Sequence, residues 1–205
     1  MKLAIFGATG GTGLEVVKQA LVAGHVVTAL ARTPAKLNLD NPALTVVQGD
    51  VLDPVAVEKV LTGADAVICS LGNTANNPDF VVSSGTQVIV DAMQKLAVRR
   101  LIVVSSLGVG DSKDQVPFFF KALMKTVLKK AMQDKERQEQ IVRASSLDWT
   151  IVRPGGLTDG PQTGSYKSGT DPKITAGQVS RADVADFVLK QLTDATYLHK
   201  APAVA

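Results

Sequence analysis

Short apolar runs alternate with stretches of helical periodicity along the chain. Residues 2–6 form an apolar run that stops at glycines, which predicts a buried strand. Residues 12–23 carry Leu14, Val17, Ala20 and Leu21 at helical spacing, and Gly24 stands where a C-cap belongs. Residues 25–31 (HVVTALA) are β-branched and predict a second strand, and residues 44–47 a short third. Residues 54–61 predict a helix with Pro54 in its first turn, where the missing N–H costs little. A fourth strand is predicted over 65–70, a helix over 80–96, a fifth strand over 100–105, a long helix over 118–144 and a sixth strand over 149–152. Residues 154–178 are rich in Gly, Pro, Thr and Ser and predict one long loop, a length that is usually functional or mobile. Ser180 with Asp183 predicts the N-cap of a last helix reaching about Leu192.

This alternation predicts an α/β fold: a single doubly wound Rossmann domain over residues 1–205, with a parallel sheet between helices on both faces. The strand order expected for that arrangement is 3-2-1-4-5-6. No internal repeat, linker or second domain is visible.

Composition narrows the function. A chain of 205 residues with 45% hydrophobic and 20% charged residues is ordinary for one globular domain. Cys69 is the lone cysteine, which excludes an intramolecular disulfide framework and a multi-cysteine zinc site. His25 and His199 lie 174 residues apart, so no His-rich metal site is expected. The first apolar run is too short for a signal core or a membrane span, and a reduced, cytoplasmic setting is the expectation. A net charge of +3 favours anionic ligands only mildly, and aromatics at 4% leave few stacking platforms, so nucleic acid is not an expected partner.

Chemistry concentrates first at Gly7-Ala8-Thr9-Gly10-Gly11-Thr12-Gly13, between the first strand and the first helix. Gly7 permits the tight turn, Gly10 lets the backbone approach a pyrophosphate, and Gly13 lets helix and strand pack closely. The helix N-terminus supplies free N–H groups and a partial positive charge. The bland alternative is a glycine-rich turn without a ligand. Its position between a predicted strand and a predicted helix favours a dinucleotide loop.

The end of the second strand separates NAD from NADP. An acidic residue there would take the ribose 2′-OH of NAD. Here the stretch is Leu30-Ala31-Arg32-Thr33, and no acid occurs before Asp40. Arg32, 19 residues after Gly13, suits the 2′-phosphate of NADP, with Lys36 one turn on to assist. The alternative is that both are ordinary surface cations. Further along, Asp50 and Val51 follow the third strand, where Asp50 is read either as a ligand of the adenine amino group or as a helix cap before Pro54. Leu71, Gly72 and Asn73 follow the fourth strand at the expected cleft.

Taken together, AIFGATGGTG, GDVLD, DAVICSLG, VVSSLG, SSLDWTIVRPGGLTDGPQTGSY, SRADVADFVLKQL and the ending TYLHKAPAV resemble the atypical short-chain dehydrogenases, most closely the biliverdin reductase B or flavin reductase branch. The glycine loop and LDWTIVRPGGLT are shared with NmrA-like relatives. The resemblance implies NADPH use, a monomer and a substrate pocket at the strand-end face. It implies coenzyme contacts at Thr9, Gly10, Gly11, Thr12, Arg32, Asp50, Val51, Leu71 and Gly72, places Pro154 and Gly155 against the nicotinamide, and assigns Ser106 as the active-site serine with Ser105 beside it. Relatives often carry an arginine soon after the Leu-Gly of the fourth strand, whereas this chain has Asn73-Thr74-Ala75-Asn76-Asn77.

Typical short-chain dehydrogenases place a Tyr four residues before a Lys. The best candidate here is Lys135, and the position four before it is Ala131. Tyr166 and Tyr197 lie outside that helix. Reducing a ketone makes an alkoxide that needs a positioned acid, which contributes about 10²–10⁴-fold in rate. A flavin or linear tetrapyrrole spreads the incoming charge, so the residues favour hydride transfer from NADPH C4 to such an acceptor, with flavin as substrate and Ser106 orienting it or relaying a proton. Ser105 and Ser106 read alternatively as caps of the fifth strand.

The acceptor pocket is expected between residues 73–80, 106–125 and 154–178. Phe118, Phe119 and Phe120 with Leu123, Met124, Val127 and Leu128 form an apolar stripe, read as either a pocket wall or plain core. Lys121, Lys125, Lys129 and Lys130 read as a solvated face, Arg153 as a structural ion pair and Trp149 as core. The competing functional reading is a non-catalytic NADP sensor of NmrA type acting through a protein partner. A ketone-reducing or sugar-nucleotide enzyme is weakest, for want of the Tyr.

Overall fold

A computed structural model describes residues 1–73, 79–117 and 128–205. Five helices are present among them: α1 Gly11–Val22, α2 Pro54–Leu61, α3 Val81–Lys95, α4 Lys129–Ala144 and α5 Arg181–Lys190. The strands are β1 Lys2–Phe6, β2 Val26–Ala31, β3 Leu44–Gln48, β4 Ala66–Cys69, β5 Arg100–Val104, β6 Asp148–Pro154, β7 Gly156–Thr158, β8 Ser168–Gly169, β9 Gln178–Ser180 and β10 Ala203–Val204. One sheet runs β3-β2-β1-β4-β5-β6-β10-β8, and β7 pairs with β9 separately. The expected order holds through the first six strands, all parallel, in a Rossmann-type fold. The two-residue β10 extends it in parallel and β8 closes it antiparallel.

Strand alternation divides the core. Phe6, Cys69, Leu101, Val103 and Ile151 face α2, α3 and α4. Leu3, Ile5, Ile68, Ile102 and Val152 face Val16, Val17 and Ala20 of α1 and Val184 and Val188 of α5. Fully burying such a side chain contributes about 1.5–3 kcal/mol, so both faces of the sheet are anchored before any polar contact is considered. Trp149 is 6% exposed, as core.

One expectation needs correction. Residues 154–178 are not a single loop: β7, β8 and the first residue of β9 interrupt them. Their pairing partners, β9 and β10, are so short that no alternation marks them in the sequence. The stretch is also pinned by Asp183, whose carboxylate accepts from Thr163 N and Gly164 N at 2.8 Å each. Asp183 thus anchors the preceding segment, while Ser180 caps α5 by accepting from Asp183 N at 2.9 Å.

Candidate coenzyme and acceptor site

The turn after β1 is built for close approach of backbone. Gly7 has φ of +83°, and a Cβ there would run into the carbonyl of Ser70. A Cβ on Gly13 would strike Gly7 O. α1 begins from Gly10 without a side-chain cap and without an acid in its first turn. By contrast, Asp53 caps α2 by accepting from Val55 N at 2.9 Å, and Ser180 caps α5. The positive end of α1 is therefore open to an external anion. Thr9, Gly10 and Gly11 are exposed there and Thr12 is buried.

Arg32 is exposed just past β2, and Lys36 is exposed on the 3₁₀ turn Pro34–Leu37. Asp50 is exposed after β3, and its Oδ1 accepts from Leu52 N at 2.9 Å in an Asx turn. The helix-cap alternative for Asp50 is corrected: Asp53 caps α2, because only a side chain one residue before Pro54 reaches the N–H of Val55. Val51 is buried, in line with a Cβ added at Gly85, which would meet its methyls. Leu71 is half-buried after β4, and Gly72 and Asn73 are exposed. These residues share the carboxyl ends of adjacent parallel strands β3, β2, β1 and β4.

The two adjacent serines after β5 have different surroundings. Ser105 is buried and donates to Glu139 Oε1 at 2.7 Å. Glu139 is itself held by the buried Arg153, Nε at 3.0 Å and Nη2 at 2.6 Å, and Arg153 also pairs with Asp111. Arg153 is thus the structural ion pair expected of it, and Ser105 belongs to that cluster. Ser106 is half-buried and makes a local bond, Oγ to Leu107 O at 3.1 Å.

Lys135 projects from α4 to the strand ends. Its Nζ donates to Leu71 O at 2.9 Å, Val104 O at 2.7 Å and Gln138 Oε1 at 3.3 Å. Burial pulls its pKa down to about 8. Asp134 beside it is fully buried and accepts from Val82 N at 3.0 Å and Ser83 N at 2.7 Å, capping α3 from another helix. Gln138 is buried as well and donates to Thr86 Oγ1 at 2.9 Å. Sequence reasoning missed Asp134 and Gln138. On a helix reading KKAMQDKERQEQIVRA, both look like parts of a solvated face.

Tyr166 and Tyr197 pack on Phe187 of α5, on the sheet face opposite α4. Tyr166 donates to Asp186 Oδ2 at 2.6 Å, and burial together with that carboxylate pushes its pKa up to about 12.

Pro154 is buried, and Gly155 N donates to Val204 O at 2.9 Å at the end of β6. Two expected pocket walls meet, since Gln115 Nε2 donates to Ile174 O at 2.9 Å and Ala176 N to Gln115 O at 2.8 Å. Both contribute to a cavity of about 450 Å³, lined among others by Asp111, Gln115, Arg143, Arg153, Gly169 and Thr170. The wall residues 74–78 and 118–125 lie outside the described residues, as do Phe118, Phe119, Phe120, Leu123, Met124 and Val127 of the apolar stripe and Lys121 and Lys125 of the lysine face. Lys129 and Lys130 are exposed, and Lys130 pairs with Asp79 at 2.8 Å.

Residues 7–195 match the model of the NAD(P)H-binding family. The chain belongs to that family. The match agrees with the resemblance to atypical short-chain dehydrogenases carried by the motifs. An uncharacterized chloroplastic protein of Arabidopsis thaliana is 32% identical over 204 residues, 93% of this chain and 71% of its own length. Reductase pytE of Aspergillus terreus is 28% identical over 243 residues, covering 93% of this chain and 90% of that protein. The solved structure of ChuY, described as an anaerobillin reductase from Escherichia coli O157:H7, superposes with a TM-score of 0.82 at 26% identity, covering 100% of this chain and 96% of that one. Among the described residues of this NAD(P)H-binding protein, no helix is long and apolar enough to cross a membrane.

Proposed function

We propose that the protein is an NADPH-dependent reductase whose acceptor is a flavin or a linear tetrapyrrole. The observation that carries this reading is the commitment of both tyrosines to α5, on the sheet face away from Lys135. With no phenol beside the lysine, the site suits an acceptor that stabilises added charge by its own conjugation. Family membership and the name of ChuY support the same class.

The residues fit the coenzyme: the glycine turn is a cradle that a Cβ at Gly7 or Gly13 would fill, and α1 has no side-chain cap of its own. Gly7, Thr9, Gly10, Gly11, Thr12 and Gly13 would hold the pyrophosphate, Arg32 and Lys36 the 2′-phosphate, and Asp50 and Val51 the adenine. Leu71, Gly72, Asn73, Pro154 and Gly155 would flank the nicotinamide, which supplies the hydride. Ser106 orients the acceptor. Lys135 and Ser105 act through the groups they hold: Lys135 fixes Leu71 O, and Ser105 fixes the Glu139–Arg153 pair.

The test is NADPH oxidation followed by absorbance with FMN, FAD and biliverdin as acceptors. Acceptor-dependent oxidation is expected. Tight NADP⁺ binding without turnover on any acceptor would replace this reading with an NADP sensor.

A further inference from the structure

A cation stands at the amino end of α1, where the helix dipole disfavours it. Arg181 opens α5, and Gln19 Nε2 in the third turn of α1 donates to Ala182 O at 2.8 Å, which ties the first turn of α5 against α1. Arg181 Cδ and Nε each lie 2.7 Å from the point a Cβ on Gly11 would occupy. The side chain therefore lies across the first residue of α1, at the positive end of that helix. The unfavourable placement of a guanidinium there is offset when it shares an anion with the α1 N–H groups.

In the chain itself the anion is Asp159, paired with Arg181 Nη1. The Asp159 side chain is 89% exposed. An ion pair that open to water contributes little net stability, because solvation of the separated charges nearly matches it. A diphosphate would be held by Arg181 and by the α1 N–H groups together, so it has the advantage over the carboxylate.

We propose that Arg181 is a diphosphate ligand of the coenzyme and that Asp159 occupies it until the coenzyme arrives. The inference rests on the coenzyme placement above. It adds a contact from the carboxyl-terminal part of the chain, 170 residues beyond Gly11, and divides the work between two cations: Arg32 reads the 2′-phosphate and Arg181 the diphosphate.

The test is calorimetric titration of wild type, Arg181→Ala and Asp159→Asn with NADP⁺, ADP and 2′-AMP. Arg181→Ala should weaken NADP⁺ and ADP by about ten- to a hundred-fold, the range for one charge-assisted contact, and leave 2′-AMP, which has no diphosphate, unchanged. Asp159→Asn, at a position exposed enough to leave folding intact, should tighten NADP⁺ and ADP. Arg181→Ala binding ADP as wild type does, or losing 2′-AMP to the same degree as ADP, overturns the assignment, as does weaker NADP⁺ binding by Asp159→Asn. If wild type binds none of the three ligands, the coenzyme placement falls as well. If wild type binds and Arg181→Ala matches it, this assignment falls alone.

Discussion

Lys135 Nζ on α4 donates to the main-chain carbonyl of Leu71, the second residue past β4, at 2.9 Å. The same ammonium reaches Val104 O at the end of β5 and Gln138 Oε1 on its own helix. One side chain thus ties together two strand ends and the segment proposed to flank the coenzyme. Lys135→Met keeps the stem and removes all three donors. It should cost about 2–4 kcal/mol in urea unfolding, since charged hydrogen bonds are lost and carbonyls are left without this partner. It should also weaken NADPH binding through the loosened Leu71–Gly72 segment.

The same lysine gives a pH signature. Burial lowers its pKa from 10.5 to about 8 in the folded protein. Between those values the unfolded chain binds the proton and the folded chain does not, so stability rises with pH across the window and is level below about pH 8. Lys135→Met has no such group. The difference in unfolding free energy between wild type and variant should therefore grow in favour of wild type from pH 8 to pH 10. A constant difference would show that the buried amine keeps its ordinary pKa.

Asp134 is the structural counterpart. Its two carboxylate oxygens cap α3 through Val82 N and Ser83 N, at zero exposure. Phe80, the residue before α3, has φ of +62° and supplies no side-chain cap. Asp134→Ala strands two N–H groups in the interior and should cost about 2–4 kcal/mol, more than the ~1 kcal/mol typical of an exposed cap. Asp134→Asn retains one acceptor oxygen and should recover part of the loss in the same denaturation series.

The contrast between Cys69 and Asp134 marks what was legible in the sequence. Cys69 ends β4, one of six strands that announce themselves as short β-branched or apolar runs, and the glycine loop fixes where the first helix starts. The strand order follows from those alone, and so does the proposal that a coenzyme binds at the carboxyl ends of the strands. Asp134, Lys135, Gln138 and Glu139 fall in a polar helix, and their partners are main-chain groups or side chains mostly 30 to 65 residues away. No periodicity encodes a carboxylate that caps a different helix. β8 and β10 escaped for a related reason: two residues are too few to alternate. Arg153 was readable as an ion pair by its charge beside a strand, but Glu139 and Asp111 as its partners were not.

Ala97 offers a stabilising change. α3 ends with Ala97 N donating to Gln94 O and Val98 N to Met93 O, a Schellman pattern in which Ala97 has φ of +56°. α1 ends the same way with Gly24 at φ +78°. A left-handed alanine costs about 1–2 kcal/mol, part of which glycine returns as unfolded-state entropy. Ala97→Gly should therefore raise stability by about 0.5–1 kcal/mol, read as a higher melting temperature with unchanged coenzyme binding.

Arg32 sets coenzyme choice in this reading. It is exposed, with no acid nearby in sequence before Asp40. Arg32→Ala should raise the KM for NADPH about ten- to a hundred-fold, the value of a charge-assisted phosphate contact, and leave the KM for NADH within error. Parallel loss with both coenzymes would mean the residue supports the fold of the β2 end and does not read the 2′-phosphate.

The acceptor hypothesis makes its sharpest demand on the tyrosines. Tyr166 is held by Asp186, with Lys190 Nζ donating to its oxygen at 3.2 Å, and its proton is retained up to about pH 12. Tyr197 shares the same Phe187 contact on that face. A mechanism with a phenolic proton donor loses about 10²–10⁴-fold when the phenol is removed. Here the double variant Tyr166→Phe/Tyr197→Phe should keep its turnover with FMN or biliverdin near wild type, because neither hydroxyl lies with Lys135 at the strand ends. Ser106→Ala should instead slow turnover at saturating NADPH, since among the described residues its hydroxyl makes a local bond to Leu107 O and it is the side chain proposed to orient the acceptor. A large loss in the tyrosine double variant, with Ser106→Ala unaffected, would move the proton donor to the α5 face and the acceptor with it.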